Sequence, residues 1–275
     1  MKYCYGLFFI LLYSSMGWAQ DQVAEELFSR WKNKQPAVHL SQHSPAATLQ
    51  QAYKVQAEYV ALRQKNKAHI AGFKAGLTSA GGQKKFSVQS ALAAVLFASG
   101  KHQSEAPIAL KNFQKLMMET EIGFRLAKPI DKKINTIAEL KPYIKSVFPV
   151  IELPELAYQT PKAIKGIDLI AANVASNAFI LGEEIGLAKA PNLNQLKITL
   201  KREKQLINSG KGSDALNDQW QALLWLVNTL VDQQYTLQPE QILITGAIGK
   251  MLPAKTGHYH ADFGDLGHIN YTIVP

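Results

Sequence analysis

The chain has 275 residues, of which 47% are hydrophobic and 19% are charged, and its formal net charge is +9. This composition predicts a sizeable folded core in one large or two small domains and excludes global disorder. The lysines are scattered and form no basic stripe with interleaved aromatic residues, so we expect no nucleic-acid partner. The charge is typical of a solvated surface, and it would also attract small anionic substrates.

Residues 1–19 have the pattern of a secretory signal peptide. Lys2 gives a short positive start, an apolar run covers residues 5–13, and Gly17 and Ala19 are small residues suited to a cleavage site. The run is shorter than the roughly 20 residues that a membrane span needs, so we expect no stable span after cleavage. An uncleaved anchor and a buried N-terminal helix are the alternatives.

Cysteine use agrees with export. Cys4 is the only cysteine in the sequence, and it lies within the predicted signal peptide. The rest of the chain can therefore form no intramolecular disulfide and contains no thiol nucleophile. We expect an exported protein, most simply one of the bacterial periplasm.

Helices are predicted before strands along the chain. An amphipathic helix is expected over about residues 20–35, and a second is expected to begin at Ser44-Pro45, an N-cap followed by proline at the first helical position, and to end near Lys67. Residues 68–77 are predicted to form a strand. A later apolar helix is predicted over residues 218–235.

The pattern as a whole favours an α+β fold. We find no repeat and no low-complexity linker in the sequence. The simplest organisation is a helical N-terminal portion over residues 20–70, followed by a strand-rich domain over residues 71–275.

The segment KLMMETEIGFRL is largely apolar but contains two carboxylates, Glu119 and Glu121. In a strand, successive side chains point to opposite faces, so these two glutamates share one face with Gly123. Carboxylates this close repel each other, and partial burial increases the cost. Exposure to solvent, a shared proton or a bound cation would relieve the repulsion. The residues of this segment alone do not decide between these three possibilities.

A third carboxylate favours the cation. Glu152 lies in the apolar segment FPVIELPEL, and a buried carboxylate usually has a partner. Three glutamates on two strands, with no cysteine near them, suit a hard divalent cation such as Mg²⁺ or Mn²⁺. A solvated strand face is the alternative.

Short segments over most of the chain are characteristic of a known family. They are AYKVQ (52–56), GFKAGLTS (72–79), VLF (95–97), METEIGFRLAK (118–128), FPVIEL (148–153), AANVASNAFILG (171–182), SGKGSDAL (209–216), ALLWL (222–226) and ILITGAIGKMLPAKTG (242–257). In this order they resemble the 2-keto-4-pentenoate hydratase / 4-oxalocrotonate decarboxylase family of the fumarylacetoacetate hydrolase superfamily. The resemblance implies a catalytic domain over residues 71–275 with a mixed, roll or barrel-like β-sheet and flanking helices.

The resemblance also implies a metal-dependent lyase. In the family, residues matching Glu119, Glu121 and Glu152 bind a divalent metal, which holds the C1 carboxylate and C2 oxygen of a 2-oxo acid. The metal stabilises an enolate through which hydration, decarboxylation and carbon–carbon cleavage can all pass. The fold and the metal therefore leave the reaction open between a hydratase, a decarboxylase and a 1,3-dicarbonyl hydrolase.

Further site residues follow from matching motifs. Lys74 matches the family's lysine beside the metal, where it would transfer protons, helped by a lowered pKa, or anchor a substrate carboxylate. Simple pairing with a carboxylate of the protein is the alternative. The substrate-binding candidates are Thr78, Asn173, Thr245 and Gly246, each of which could equally be a turn or capping residue. Relatives often assemble as oligomers, so a homo-oligomer is expected.

The sequence also departs from the family pattern. Ala91-Leu92 replaces a Pro-Asp pair whose acid is proposed to assist catalysis, and residues 216–219 read LNDQ where the family often has LGHP. The metal ligands are kept while the substrate wall differs. This favours a changed substrate or reduced activity, and a protein that only binds a keto acid is the non-enzymatic alternative.

Overall fold

The structure, a computed structural model, describes residues 11–105 and 107–275, and gives only the backbone of residues 11–20. The predicted signal peptide lies partly outside this range, since residues 1–10 are not described. From Leu11 the chain is helical through the predicted cleavage position. None of the helices in the described ranges is both long enough and apolar enough to cross a bilayer.

The helices are concentrated in the N-terminal quarter of the chain. The α-helices are α1 (Leu11–Lys32), α2 (Leu40–His43), α3 (Leu49–Lys65), α4 (Ala80–Lys85), α5 (Ile137–Leu140), α6 (Gly166–Ala171) and α7 (Gln219–Asp232).

The start of α3 differs from the sequence prediction. The helix begins after Thr48, whose hydroxyl accepts a hydrogen bond from the Gln51 amide at 3.2 Å, while the Gln51 side chain accepts one from the Thr48 amide at 2.8 Å. This reciprocal capping box satisfies two helix-terminal donors. The predicted start at Ser44-Pro45 was wrong, because those residues follow the short helix α2 and lie in a turn.

The strands form two sheets in the described residues. They are β1 (Ile70–Gly76), β2 (Leu92–Phe97), β3 (Lys101–His102), β4 (Ile108–Ala109), β5 (Met117–Leu126), β6 (Ile144–Leu153), β7 (Ala178–Leu181), β8 (Ile185–Gly186), β9 (Lys197–Arg202), β10 (Gln205–Lys211), β11 (Ile242–Ile244), β12 (Ile248–Pro253), β13 (Gly257–Asp262) and β14 (His268–Val274). The larger sheet has nine strands in the order β2-β1-β11-β5-β6-β7-β3, with β12 on β5 and β8 on β6; the smaller has the order β10-β9-β13-β14-β4.

The larger sheet curls into a barrel-like form. Its first and last strands, β2 and β3, are joined directly by the three residues Ala98–Gly100. The buried cluster on its inner face includes Leu96 of β2 and Phe179 of β7, which would lie far apart in a flat sheet. This architecture confirms the predicted α+β fold with a mixed, barrel-like sheet and flanking helices.

The outer face of this sheet packs against the helices. Phe73 contacts Tyr235 and Phe124 contacts Trp220, both edge to face with ring centroids about 5 Å apart. Val23 of α1 belongs to the same buried core as these strands. The N-terminal helices therefore share their hydrophobic core with the strands that follow, and the proposed boundary at residue 70 stays a prediction.

Candidate metal centre and active-site cavity

The inner face of the barrel carries the predicted acidic residues. Along β5, Glu119 and Glu121 point to the inner face while Ile122 and Phe124 pack into the outer core, as the alternation predicts. β6 pairs antiparallel with β5 so that Glu152 lies directly opposite Glu119. The strand pairing thus brings together three glutamates from two segments of the chain.

The three carboxylates form one compact cluster. Each offers an oxygen that lies within 4.8 Å of the others. Glu121 and Glu152 are completely buried, and Glu119 is half-buried at the wall of a cavity. This is the geometry that the sequence predicts for a cation site.

Two buried carboxylate oxygens without hydrogen-bond partners indicate that a divalent cation fits this cluster. Oε1 of Glu121 and Oε2 of Glu152 have no hydrogen-bond partner among the described residues. A buried carboxylate oxygen without a partner is costly, and Mg²⁺ and Mn²⁺ prefer such oxygen ligands. The residues present therefore fit the cation that the resemblance implies, and the three glutamates are the residues that would hold it.

Lys74 lies beside this cluster. It comes from β1, is 2% exposed, and its ammonium group pairs with Glu152 and donates a hydrogen bond to the Val174 carbonyl at 3.3 Å. The second oxygen of Glu121 accepts a hydrogen bond from the Gly246 amide at 2.8 Å. One lysine and one backbone amide thus offset only part of the negative charge of three carboxylates.

Burial and mutual repulsion change the pKa values of the cluster. Burial and the charge of Glu152 raise the pKa of Glu119 to about 8, and burial and the same neighbour raise the pKa of Glu121. Burial alone would lower the pKa of Lys74, but the three carboxylates outweigh burial and raise it. In the metal-free protein the direction is thus opposite to the lowered pKa predicted from the sequence.

These shifts predict how the stability of the metal-free protein depends on pH. The pKa of Glu119 is about 8 in the folded state, against an ordinary value of 4.5. Between pH 4.5 and pH 8 the folded state therefore binds more protons than the unfolded state does. We expect the free energy of unfolding to fall as the pH rises from 5 to 8, and saturating Mg²⁺ to reduce this loss. Urea denaturation at several pH values measures it.

Glu119→Gln is the matched comparison, since it removes the titrating group and keeps the side-chain shape. We expect its metal-free stability to vary less over the same pH range than that of the unmodified protein. An equal fall in both proteins would contradict the assignment.

The predicted substrate-binding residues lie in two different settings. Thr78 lines the cavity, and Gly246 lies behind it with φ +105°, where an added Cβ would come 2.4 Å from the Thr78 hydroxyl. Thr245 is completely buried; its hydroxyl lies 3.0 Å from the Ile122 carbonyl and 2.5 Å from Oε1 of Gln219. Only Thr78 of these three residues therefore presents a side chain to the cavity.

Asn173 is used inside the fold. Its side-chain amide accepts a hydrogen bond from the Val95 N–H at 2.8 Å and donates one to the Val95 carbonyl at 2.9 Å. Asn173, Val174 and Ala175 all have φ near +50°, a conformation that is strained for a β-branched residue such as valine. The two hydrogen bonds hold this turn, whose Val174 carbonyl contacts Lys74. Substrate binding by Asn173 stays a prediction.

Asn173→Ala is expected to lower the free energy of unfolding by about 1–3 kcal/mol, because it leaves a buried backbone amide without a partner. Asn33 is exposed, so Asn33→Ala is the control and should change stability by less than about 0.5 kcal/mol. Chemical denaturation measures both. A loss as small as that of the control would show that the two bonds do not stabilise the turn.

A cavity of about 740 Å³ opens beside the cluster, with Lys74 and Glu119 in its wall. Further groups of its wall were not predicted from the sequence: Lys85 from the end of α4, Lys250 from β12, and Asp214 and Asn217 from the turn before α7. They come from a helix end, a strand and a turn that are far apart in the sequence, so only the folded chain shows that they surround one cavity.

A comparison with known families assigns the chain. The family described as fumarylacetoacetate (FAA) hydrolase, C-terminal, matches residues 54–274, which is most of the chain and includes both acidic strands. The protein belongs to the fumarylacetoacetate hydrolase family. The carboxylate cluster is thus found within an enzyme fold, and the resemblance inferred from the short motifs is confirmed.

Individual family members agree with this assignment. The chain is 27% identical over 250 residues to a 2-keto-4-pentenoate hydratase of Paraburkholderia phymatum, covering 90% of this chain and 95% of that protein. It is 26% identical over 258 residues to a 2-oxo-hept-4-ene-1,7-dioate hydratase of Escherichia coli, covering 92% and 97%.

A solved structure shares the fold. The 4-oxalocrotonate decarboxylase from Pseudomonas putida G7, complexed with magnesium and adipate, superposes with a TM-score of 0.86 at 20% identity, covering 93% of this chain and 97% of that one. The likeness extends over the N-terminal helices as well as the sheets, since it covers almost the whole chain.

Leu92 occupies the position of the acid that the family resemblance implies, and it lies on the strand next to Lys74. Leu92 is paired with Gly76, and two residues along β2 Ala94 is paired with Lys74, so Leu92 and Ala94 share the strand face that carries the lysine. Leu92 is completely buried and cannot exchange a proton. Any proton shuttle between an acid at this position and Lys74 is therefore absent from this protein.

Proposed function

We propose that this member of the family is a divalent-metal-dependent lyase that acts on a small 2-oxo acid, with a reaction most like the hydration of 2-keto-4-pentenoate in its enol (2-hydroxypentadienoate) form. The observation that carries the proposal is the cluster of Glu119, Glu121 and Glu152, with two unpartnered buried oxygens, beside Lys74 at a cavity. The whole-length similarity to hydratases supports this reaction class.

Different side chains of the site would have different catalytic roles. Glu119, Glu121 and Glu152 would hold Mg²⁺ or Mn²⁺, and the bound cation would supply Lewis acidity that favours negative charge on the C2 oxygen of the substrate. Lys74 would hold and move a proton at its Nζ atom, and its contacts with Glu152 and the Val174 carbonyl support this role because they fix its position. The Thr78 hydroxyl would orient the substrate, a role supported by its position in the cavity wall.

Decarboxylation or hydrolysis of a 1,3-dicarbonyl is the second candidate. Leu92, in place of the family's acid, removes a proton-transfer group from the neighbourhood of Lys74. A reaction that needs fewer proton transfers than hydration would tolerate this loss. The same replacement supports a third reading, in which the protein binds a keto acid without turnover.

One assay separates these candidates. The protein is incubated with a panel of 2-hydroxydienoic, 2-oxo and 1,3-dicarbonyl acids, with Mg²⁺ and then with a chelator, while ultraviolet absorbance is followed and products are identified by NMR. We expect metal-dependent loss of dienoate absorbance and a 4-hydroxy-2-oxo acid product. Carbon dioxide or an acid fragment would replace the hydratase by the second candidate, and no turnover by metal-loaded protein would favour binding alone.

Export and self-association are further proposals that rest on the sequence and the resemblance. Residues 1–19 are proposed to direct export to the periplasm, and N-terminal sequencing of protein from a periplasmic fraction tests this. An N-terminus at Gln20 would support cleavage after Ala19. Light scattering of the purified protein tests the expected homo-oligomer.

A further inference from the structure

The cavity has a second cationic region apart from the metal cluster. Lys85, at the C-terminal end of α4, and Lys250, in β12, both line it. Both side chains are exposed, whereas Lys74 is buried. The cavity therefore has a buried cationic group at its inner end and two solvated ones toward its opening.

Neither outer lysine is neutralised within described residues 11–105 and 107–275. Lys133 and Lys145 form ion pairs with Asp232 and Glu240, but Lys85 and Lys250 form none. The Lys85 ammonium instead lies 5.2 Å from the ring centroid of Phe86, which also lines the cavity.

Two carboxylates also line this cavity, and both are engaged elsewhere. Glu119 belongs to the metal cluster. Asp214 uses its Oδ2 atom to accept backbone N–H groups from Lys211 at 3.1 Å and from Gly249 at 3.0 Å. With a divalent cation bound, the three glutamates are balanced by the cation and Lys74, so the inner end is neutral. The two outer lysines outnumber Asp214 and leave a net positive charge at the opening.

We propose that Lys85 and Lys250 form a subsite for a second carboxylate, and that the substrate is a 2-oxo acid with a carboxylate at its far end. The inference rests on the proposed function for the position of the 2-oxo end at the metal cluster. A volume of about 740 Å³ lies well inside the range of ligand cavities, about 300–1,000 Å³, and leaves room for a chain longer than that of pyruvate. Asn217, also exposed in the wall, can add an amide donor.

A matched pair of ligands tests the subsite. 2-Oxoadipate and 2-oxohexanoate have the same number of carbon atoms and differ in a terminal carboxylate against a methyl group. Calorimetric titration of the full chain loaded with Mg²⁺ should give about ten-fold tighter binding of 2-oxoadipate, since each solvated charge pair contributes a factor of only a few.

The double variant Lys85→Met/Lys250→Met should abolish this preference, because binding of 2-oxoadipate should weaken until it equals that of 2-oxohexanoate. Lys84→Met is the control, because Lys84 is an exposed neighbour that does not line the cavity. Equal binding of the two ligands by the unmodified chain, or a preference that persists in the double variant, would overturn the subsite.

The outcomes separate this inference from the proposed function. A dianion preference without turnover of any substrate would keep the subsite and overturn the lyase. Turnover without the preference would keep the lyase and overturn the subsite. Failure of folded, metal-loaded protein to bind either ligand would overturn both.

Discussion

Glu121→Gln is expected to weaken Mg²⁺ binding by more than about 100-fold and to reduce turnover by at least as much. Groups that only orient metal ligands already contribute about 10–100-fold, and the loss of a ligand should exceed this. Glu121 is completely buried, and one of its oxygens has no partner among the described residues, so that oxygen is free to bind a cation. Calorimetric titration with Mg²⁺ and steady-state kinetics measure the two effects.

Loss of folding would not explain this result. Because burial and the charges of Glu152 and Glu119 raise the pKa of Glu121, the neutral glutamine should make the metal-free protein more stable rather than less. Glu183→Gln is the control, since Glu183 is an exposed carboxylate that does not line the cavity. Unchanged Mg²⁺ affinity in Glu121→Gln would remove this residue from the metal site.

Lys74→Met is expected to reduce kcat by about 10²–10⁴-fold while Mg²⁺ still binds. This is the usual contribution of a positioned acid–base group, and Leu92 leaves no acid at the neighbouring family position to take over. Methionine keeps the length of the apolar stem and removes only the ammonium group. Kinetics at saturating Mg²⁺ measure kcat and KM separately.

The separation of kcat from KM also decides between two roles of this lysine. If Lys74 only anchors a substrate carboxylate or pairs with Glu152, the variant should raise KM and leave kcat nearly unchanged. Lys84→Met, on the exposed surface of α4, should change neither quantity. A raised KM with unchanged kcat would therefore contradict proton transfer by Lys74.

The local features of the centre were predictable from the sequence. The alternation of Glu119, Glu121 and Gly123 against Met118, Ile122 and Phe124 predicts which face of β5 is acidic, and the structure has that alternation. The apolar segment around Glu152 predicts a buried carboxylate. These inferences succeed because a strand has a period of two residues, which is readable without any partner.

The pairing between segments was not predictable from residue patterns. That Glu152 lies opposite Glu119, and that Lys74 reaches both Glu152 and the Val174 carbonyl, depends on strand register and on a strained turn far along the chain. Likewise, the Asn173 amide could have bound either substrate or backbone, and only the position of β2 shows that it holds Val95.

The predicted start of α3 was wrong because two helix-start signals lie close together in the sequence. Ser44-Pro45 and Thr48 with Gln51 are both helix-start signals a few residues apart. The second prevails because Gln51 completes a reciprocal pair of hydrogen bonds. Competing signals of similar strength are not resolved by the pattern alone.

The most direct test of the metal centre is a crystal structure of the chain grown with Mn²⁺, with diffraction data collected on both sides of the manganese absorption edge. We expect one anomalous peak per chain, bound by Glu119, Glu121 and Glu152, with Lys74 beside it. An anomalous peak only at other residues, or no peak in crystals that diffract well and contain Mn²⁺, would contradict the assignment of these glutamates as the metal site.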